Sequence, residues 1–467
     1  MFKDERNRSV LLFFFTIIFT IMLSYIPSDI KILNYQPKKI DLFMDIVPDS
    51  LLDYSKNQFE QKSLPSNLYS ASMNKEVLEA LIAYAKSINS ELPGAVESIQ
   101  GKNIPMSGDV TQMNYFFQAL KQAKSKKVRI GDYGDSGNEG DLLTADLRER
   151  FQSEFGGNGV GMMAITSQDI MFRITTKHTF SDNWKTVSVL TGKEGDIPIG
   201  INGFVSIPKG IAWVQYETKT AYKSSKFFTT AKVYYTNAKA SSIKYSFNNG
   251  AEKTATLQAG SGVKELVLTP SGNATSFKMT TTMTDQAQFF GVSLESGNGL
   301  YIDNYPWRGN SGVSFKDIQD NIKKDFQKYL DYKLIILTYG ANMMTAGNIN
   351  FMWYESQMTK VIKDLKTIFP QTSILLVGMG DRPVKRGSKL ITDPNLSKMI
   401  QCQKNIVKAT GITFWDRYEA MGGENSMLDW VEANLASRDY AHFNDQGSKK
   451  MATMIADLLI NEYKKNN

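Results

Sequence analysis

The sequence predicts an α/β fold, one parallel sheet with helices, interrupted by an inserted all-β sandwich. Three observations predict it. Strand-like and helix-like runs alternate from about residue 127 to 165 and again from about 300 to 465. Between about Thr166 and Ser296 they give way to short β-branched and aromatic runs separated by Gly, Asn and Ser. After that stretch the α/β pattern resumes, as expected where one domain is inserted into another.

In chain order, residues 9–27, SVLLFFFTIIFTIMLSYIP, are uncharged and follow Lys3, Arg6 and Arg8. That pattern predicts a transmembrane helix with its N-terminus in the cytoplasm and the rest of the chain periplasmic or extracellular. No small-x-small site follows, which favours a retained anchor over a cleaved signal peptide. Residues 28–65 read as a polar tether, and helical periodicity runs from Asn74 to Lys124, as in NKEVLEALIAYAKSI and MNYFFQALKQA. KVRIGDYGDS then reads as a strand ending in a loop, and DLLTADLRERFQSEF as a helix. The insert, 166–296, carries GFVSIP, AWVQYET, KVYYTN, IKYSFNNG, KELVLTP, SFKMTTT and QFFGVSL. Its Trp213, Tyr216, Tyr234 and Tyr235 fall mostly on core positions by alternation, with any exposed ones free to stack on sugar rings. Beyond it, DIQDNIKKDFQKYLDY, MTKVIKDLKTIF and MATMIADLLINEY are helical, and KLIILTYGAN and SILLVGMGD are strands. The expected organisation is an anchor (1–27), a tether (28–65), an α/β domain (66–165 with 297–467) and the insert.

Composition narrows the chemistry. The chain has 467 residues and a formal charge of +7 from scattered lysines and arginines rather than a basic stripe, which argues against nucleic acid. Cys402 is the only cysteine, so no intrachain disulfide or thiolate metal cluster is possible. The two histidines leave little room for a zinc site.

The GDSG run at 134–137 resembles the setting of a serine nucleophile, which needs a base oriented by a third group. His178, in RITTKHTFSD, reads as a surface histidine. His442 follows Asp439 by three residues in a polar loop before the last helix, a spacing at which the carboxylate can hold Nδ1. Both histidines follow Ser136, which excludes the trypsin-like order, and Asn138 breaks the glycine pattern of the nucleophile elbow. Asp135 reads as a turn-holding residue, and Glu139 and Asp141 as caps for the helix beginning near Leu142.

Four short blocks in order then give a resemblance. Gly134-Asp135-Ser136, a glycine at Gly312 in Ser311-Gly312-Val313-Ser314, Gly340-Ala341-Asn342 and Asp439-Tyr440-Ala441-His442 resemble the four blocks of the SGNH, or GDSL-like, hydrolase superfamily. Gly309 is the weaker candidate for the second block, and Met343 stands where that superfamily commonly has an aspartate. The resemblance implies a flavodoxin-like three-layer α/β/α fold, a catalytic Ser136-His442-Asp439 triad, and an oxyanion hole from the Ser136 and Gly312 backbone N–H groups and the Asn342 amide. It implies no metal or organic cofactor. The insert between the first two blocks is similar to the arrangement in peptidoglycan and polysaccharide O-acetylesterases of this superfamily. The expected function is therefore removal of O-acetyl groups from a polysaccharide. The rivals are an O-acetyltransferase with the same site, working beside a membrane acetyl-donor protein, and a non-catalytic glycan-binding protein.

Overall fold

The computed structural model describes residues 101–344 and 349–466. The expected anchor, the tether and the helical run from Asn74 to residue 100 lie outside them. Among the described residues no helix is long and apolar enough to cross a membrane. The expectation of a transmembrane anchor is corrected accordingly: no described element supports membrane attachment, a placement outside the cytoplasm or a membrane acetyl-donor partner.

A six-stranded sheet forms the centre. Its strands are β1 (Ser107–Gly108), β2 (Lys127–Gly134), β3 (Gly299–Pro306), β4 (Tyr332–Thr338), β5 (Ser373–Val377) and β6 (Thr413–Trp415), in spatial order β1-β6-β5-β4-β2-β3. β1 is an antiparallel edge and the other pairings are parallel. Counted alone, the five parallel strands run 2-1-3-4-5, the flavodoxin-like order, and the order reverses at β2.

The parallel strands are largely buried on both faces, and their side chains sort by alternation. Leu334 and Ile336 of β4, with Leu375 and Val377 of β5, join a core with α1 (Asn114–Leu120), α2 (Leu142–Phe155) and α6 (Asp445–Lys465). Ile335, Leu337, Ile374 and Leu376 face the other way, onto α3 (Asp320–Leu330), α4 (Phe351–Ile368) and α5 (Leu396–Thr410). The result is three layers. α2 buries Leu143, Leu147, Phe151 and Phe155 at four-residue spacing and stops at Gly156, whose φ of 82° suits a residue without Cβ.

Between α2 and β3 the chain builds two antiparallel sheets that enclose a core including Val214, Tyr216, Phe277, Val233, Tyr235 and Phe289. Tyr216 and Tyr235 face the sandwich core, and Tyr234, on the opposite side of its strand, is buried against Phe326, while Trp213 is partly exposed with Lys278 Nζ 5.5 Å from its ring. His178 is not a surface residue. It alternates inward on Thr176–Phe180, its Nε2 lies 3.0 Å from the Ile165 carbonyl oxygen, and burial pushes its pKa down to about 4.

The insert is fused to the central sheet. Asn158–Met163, which precedes the expected boundary, pairs with Gln288–Ser296 of the insert. Val205, Tyr234 and Phe290 of the insert share one core with Tyr133, Trp307 and Phe326. Arg129 of β2, with a side chain 3% exposed, pairs with Asp303 of β3 at 2.7 Å and with Glu295 of the insert, which Lys127 also reaches at 2.5 Å.

Candidate active site

The loops at the carboxyl ends of the parallel strands converge where the strand order reverses, the usual ligand crevice of open α/β sheets. The first loop follows β2. At the strand end, Gly134 lets Asn138 pack close, since a Cβ there would sit 2.1 Å from Asn138 Oδ1. Asp135 accepts from the Gly137 N–H at 3.0 Å, opening the 3-10 turn Ser136–Asp141 with Ser136 at its head. Asp135 thus holds the turn, as its sequence position suggests. Burial raises its carboxyl pKa, opposed by the Gly137 N–H and by the nearby charges of Arg417, His442 and Arg382.

The last loop lies between Ser426–Glu432 and α6. Ser437 N–H donates to the His442 carbonyl at 2.8 Å, and Tyr440 takes a left-handed φ of 55°. Asp439 Oδ1 accepts from the backbone N–H groups of Ala441 and His442 at 2.9 and 3.1 Å. Its other oxygen, Oδ2, lies 2.6 Å from His442 Nδ1, and His442 Nε2 lies 2.8 Å from Ser136 Oγ. Two segments 306 residues apart thus form one continuous serine–histidine–aspartate chain of hydrogen bonds. The bond to Asp439 is the main cause of the raised His442 pKa. For Asp439, burial pushes upward, but the bonds it accepts hold its carboxyl below the ordinary value. The His442 and Asp439 side chains are 46% and 36% exposed, so this pair sits at an open surface.

The loop after β3 is tied to β2 by Trp307 N–H donating to the Gly134 carbonyl at 2.8 Å. Gly312 has φ 85°, and a Cβ there would lie 2.8 Å from Tyr339 Cδ2. Gly309 also has a positive φ but faces open space, so only Gly312 is held to glycine by a neighbour. Asn310 joins the blocks: its Oδ1 accepts from Gly312 N–H at 2.8 Å, its Nδ2 donates to Ser314 Oγ at 2.9 Å, and its carbonyl accepts from Asn342 Nδ2 at 3.0 Å. Asn342 Nδ2 also donates to Asp135 Oδ2 at 3.2 Å. Ser136, Gly312 and Asn342 are therefore linked through Asp135 and Asn310.

Glu139 and Asp141 do not cap α2. Asp141 makes no side-chain cap bond; its carboxylate receives Arg148 at 2.9 and 3.2 Å and Thr175 Oγ1 at 2.5 Å. Glu139 meets Arg308 at 3.2 Å, yet burial carries its pKa to about 7, because that guanidinium is 42% exposed and screened by water. Asn310, Arg308, Arg382 and Arg417 are absent from the sequence-based site; a polar residue between two loop glycines is the one signal that points to Asn310.

No family model matches the chain, and no curated protein matches its sequence. Among solved structures, a peptidoglycan O-acetylesterase is similar with a TM-score of 0.63 and 20% identity, over 76% of this chain and 96% of that one. A family two carbohydrate esterase from Cellvibrio japonicus matches with a TM-score of 0.27 and 9% identity, over 62% of this chain and 100% of its own. A protein from Parabacteroides merdae described as a GDSL-like lipase matches with a TM-score of 0.28 and 17% identity, over 34% and 74%. The fold likeness rests on the first of these: the fold of this chain resembles that of a peptidoglycan O-acetylesterase.

Proposed function

We propose that the protein is a serine esterase that removes O-acetyl groups from a polysaccharide. The observation that carries this reading is the unbroken contact from Ser136 Oγ through His442 to Asp439. In this reading Ser136 Oγ attacks the acetyl carbonyl carbon while His442 Nε2 takes the hydroxyl proton. The tetrahedral oxyanion is stabilised by the Ser136 and Gly312 backbone N–H groups and the Asn342 amide, replacing Asn310 Oδ1 as the acceptor for Gly312 and one of the two acceptors, Asp135 Oδ2 or the Asn310 carbonyl, that Asn342 Nδ2 serves. The bond from the acetyl carbon to the sugar oxygen breaks, and His442 returns its proton to that oxygen. Water then attacks the acetyl-serine, giving up a proton to His442, and acetate leaves as Ser136 recovers its hydroxyl. Asp439 orients His442 and supports the imidazolium formed in both steps.

A polysaccharide substrate is supported by the exposure of His442 and Asp439, since a polymer reaches an open surface more readily than a deep pocket. The similar peptidoglycan O-acetylesterase structure supports the acetyl ester as the bond cleaved. The test is acetate release by the full chain from an O-acetylated oligosaccharide, with Ser136→Ala alongside. Release that depends on Ser136 is expected. Acetyl transfer to an added sugar acceptor in place of free acetate would make the protein a transferase, and no serine-dependent turnover would refute the enzymatic reading.

A further inference from the structure

The loops after β5 and β6 reach the same sheet edge as Ser136, and their acids are already engaged. Asp381 accepts from Thr392 Oγ1 at 2.7 Å and from the Arg382 and Met427 N–H groups, each at 2.9 Å. Asp416 pairs with Lys404 at 2.9 Å, and Glu419 lies 4.0 Å from Lys102. Two arginines here, Arg382 after β5 and Arg417 at the head of the helix Arg417–Met421, are not engaged among the described residues. Among the described residues, neither the Arg382 nor the Arg417 side chain has an ion-pair partner within 4.0 Å or a hydrogen bond, and Arg417 Nε is buried without any partner.

The surrounding geometry holds Arg417 in place. The loop backbone at Gly380 lies on its guanidinium, so that a Cβ there would meet Nε at 3.3 Å and Met421 Sδ at 2.7 Å. Both arginines act electrostatically on Asp135, the residue before Ser136, and Arg382 also acts on His442. Asp135 is thus their nearby counter-charge without closing an ion pair; a guanidinium left without a close partner is unfavourable, and its planar fork fits a carboxylate.

We propose that Arg382 and Arg417 form a carboxylate subsite beside Ser136, so that the preferred substrate is an acidic glycan with a free carboxyl on or next to the acetylated sugar. This rests on the ester-cleaving reading above and adds the charge of the polymer to it. Both arginines bind the substrate at a distance from the reacting bond, so the expected effect is chiefly on KM.

The experiment compares two O-acetylated oligosaccharides that differ only in having their carboxyl groups free or converted to primary amides. Acetate release by the full chain is measured for wild type, Arg382→Gln, Arg417→Gln and Arg382→Lys. Wild type is expected to prefer the acidic form by about tenfold or more in kcat/KM. Each glutamine variant should lose most of that preference, and Arg382→Lys should keep part of it. Should Arg417→Gln fail to fold, Arg382→Gln on its partly exposed loop decides the matter.

Equal rates on the two substrates, or a preference that survives in both glutamine variants, would overturn the inference while leaving the esterase reading intact. Inhibition by added acetate that depends on the arginines, without a substrate preference, would assign the pair to the product and also overturn it. No acetate release by wild type from either substrate would remove the esterase reading and this inference together.

Discussion

Replacing Asp439 with asparagine should disable the site while leaving the fold in place, and the reason lies in three hydrogen bonds. Asp439 Oδ1 accepts from two backbone N–H groups at 2.9 and 3.1 Å, and Oδ2 accepts from His442 Nδ1 at 2.6 Å. In Asp439→Asn the single amide oxygen stays with the two backbone donors, because turning the NH2 toward them would forfeit both bonds, at about 1 kcal/mol each. The NH2 then faces His442 Nδ1 and makes it an acceptor, which places the ring proton on Nε2, pointing at Ser136 Oγ. A ring in that tautomer cannot take the serine proton. The expected loss in kcat is about 10³- to 10⁴-fold, or about 4–5.5 kcal/mol of transition-state stabilisation. Acetate release under saturating substrate measures it, with circular dichroism and urea unfolding verifying the fold. A folded variant retaining more than about a tenth of wild-type kcat would refute the tautomer argument.

The hydrogen bond to Asp439 raises the His442 pKa, so the acidic limb of kcat/KM should lie above the ordinary histidine range, with activity lost as pH falls through it; a limb at or below that range would contradict the assignment. Gly312→Ala combines a positive φ with a Cβ 2.8 Å from Tyr339 Cδ2. It should cost about 1–2 kcal/mol in backbone strain and about 1–3 kcal/mol in overpacking, read from urea unfolding, with a clear fall in acetate release. Arg129→Met leaves Glu295 and Asp303 buried without their main counter-charge and should lower unfolding stability by about 3–5 kcal/mol; an unchanged urea midpoint would show that the cluster does not hold the insert. Glu139 titrates near 7 in the fold against an ordinary value of 4.5, so the folded chain keeps its proton longer than the unfolded one. Its contribution is full below the ordinary value and lost as pH rises toward 7, so Glu139→Gln should flatten the fall in urea midpoint from pH 5 to pH 8.

The parts legible in the sequence are those that local periodicity or short motifs encode. β4 and β5 are short apolar runs bounded by glycine or helix, and Asp439 and His442 are close enough in the chain for their pairing to be read directly. Ser136 was readable because a strand end, a turn and a helix follow one another within a few residues. The fusion of the insert was not readable, because Arg129, Asp303 and Glu295 come from distant segments and each alone looks like an exposed charge. Asp141 follows similar logic, since Arg148, seven residues on within α2, and Thr175, 34 residues on, make it a buried ion-pair residue rather than a cap. His178 was legible in principle, because its strand alternates inward at Thr176 and outward at Lys177. Arg417 stands out by a buried Nε without a partner among the described residues, which sequence does not display.

The most direct test of the central claim is to quench the full chain during turnover of an acetyl ester and locate the acyl group by peptide mass mapping. An acetyl adduct is expected on the peptide carrying Ser136, lost in Ser136→Ala. Turnover with no adduct on that peptide, or turnover undiminished in Ser136→Ala, would contradict it.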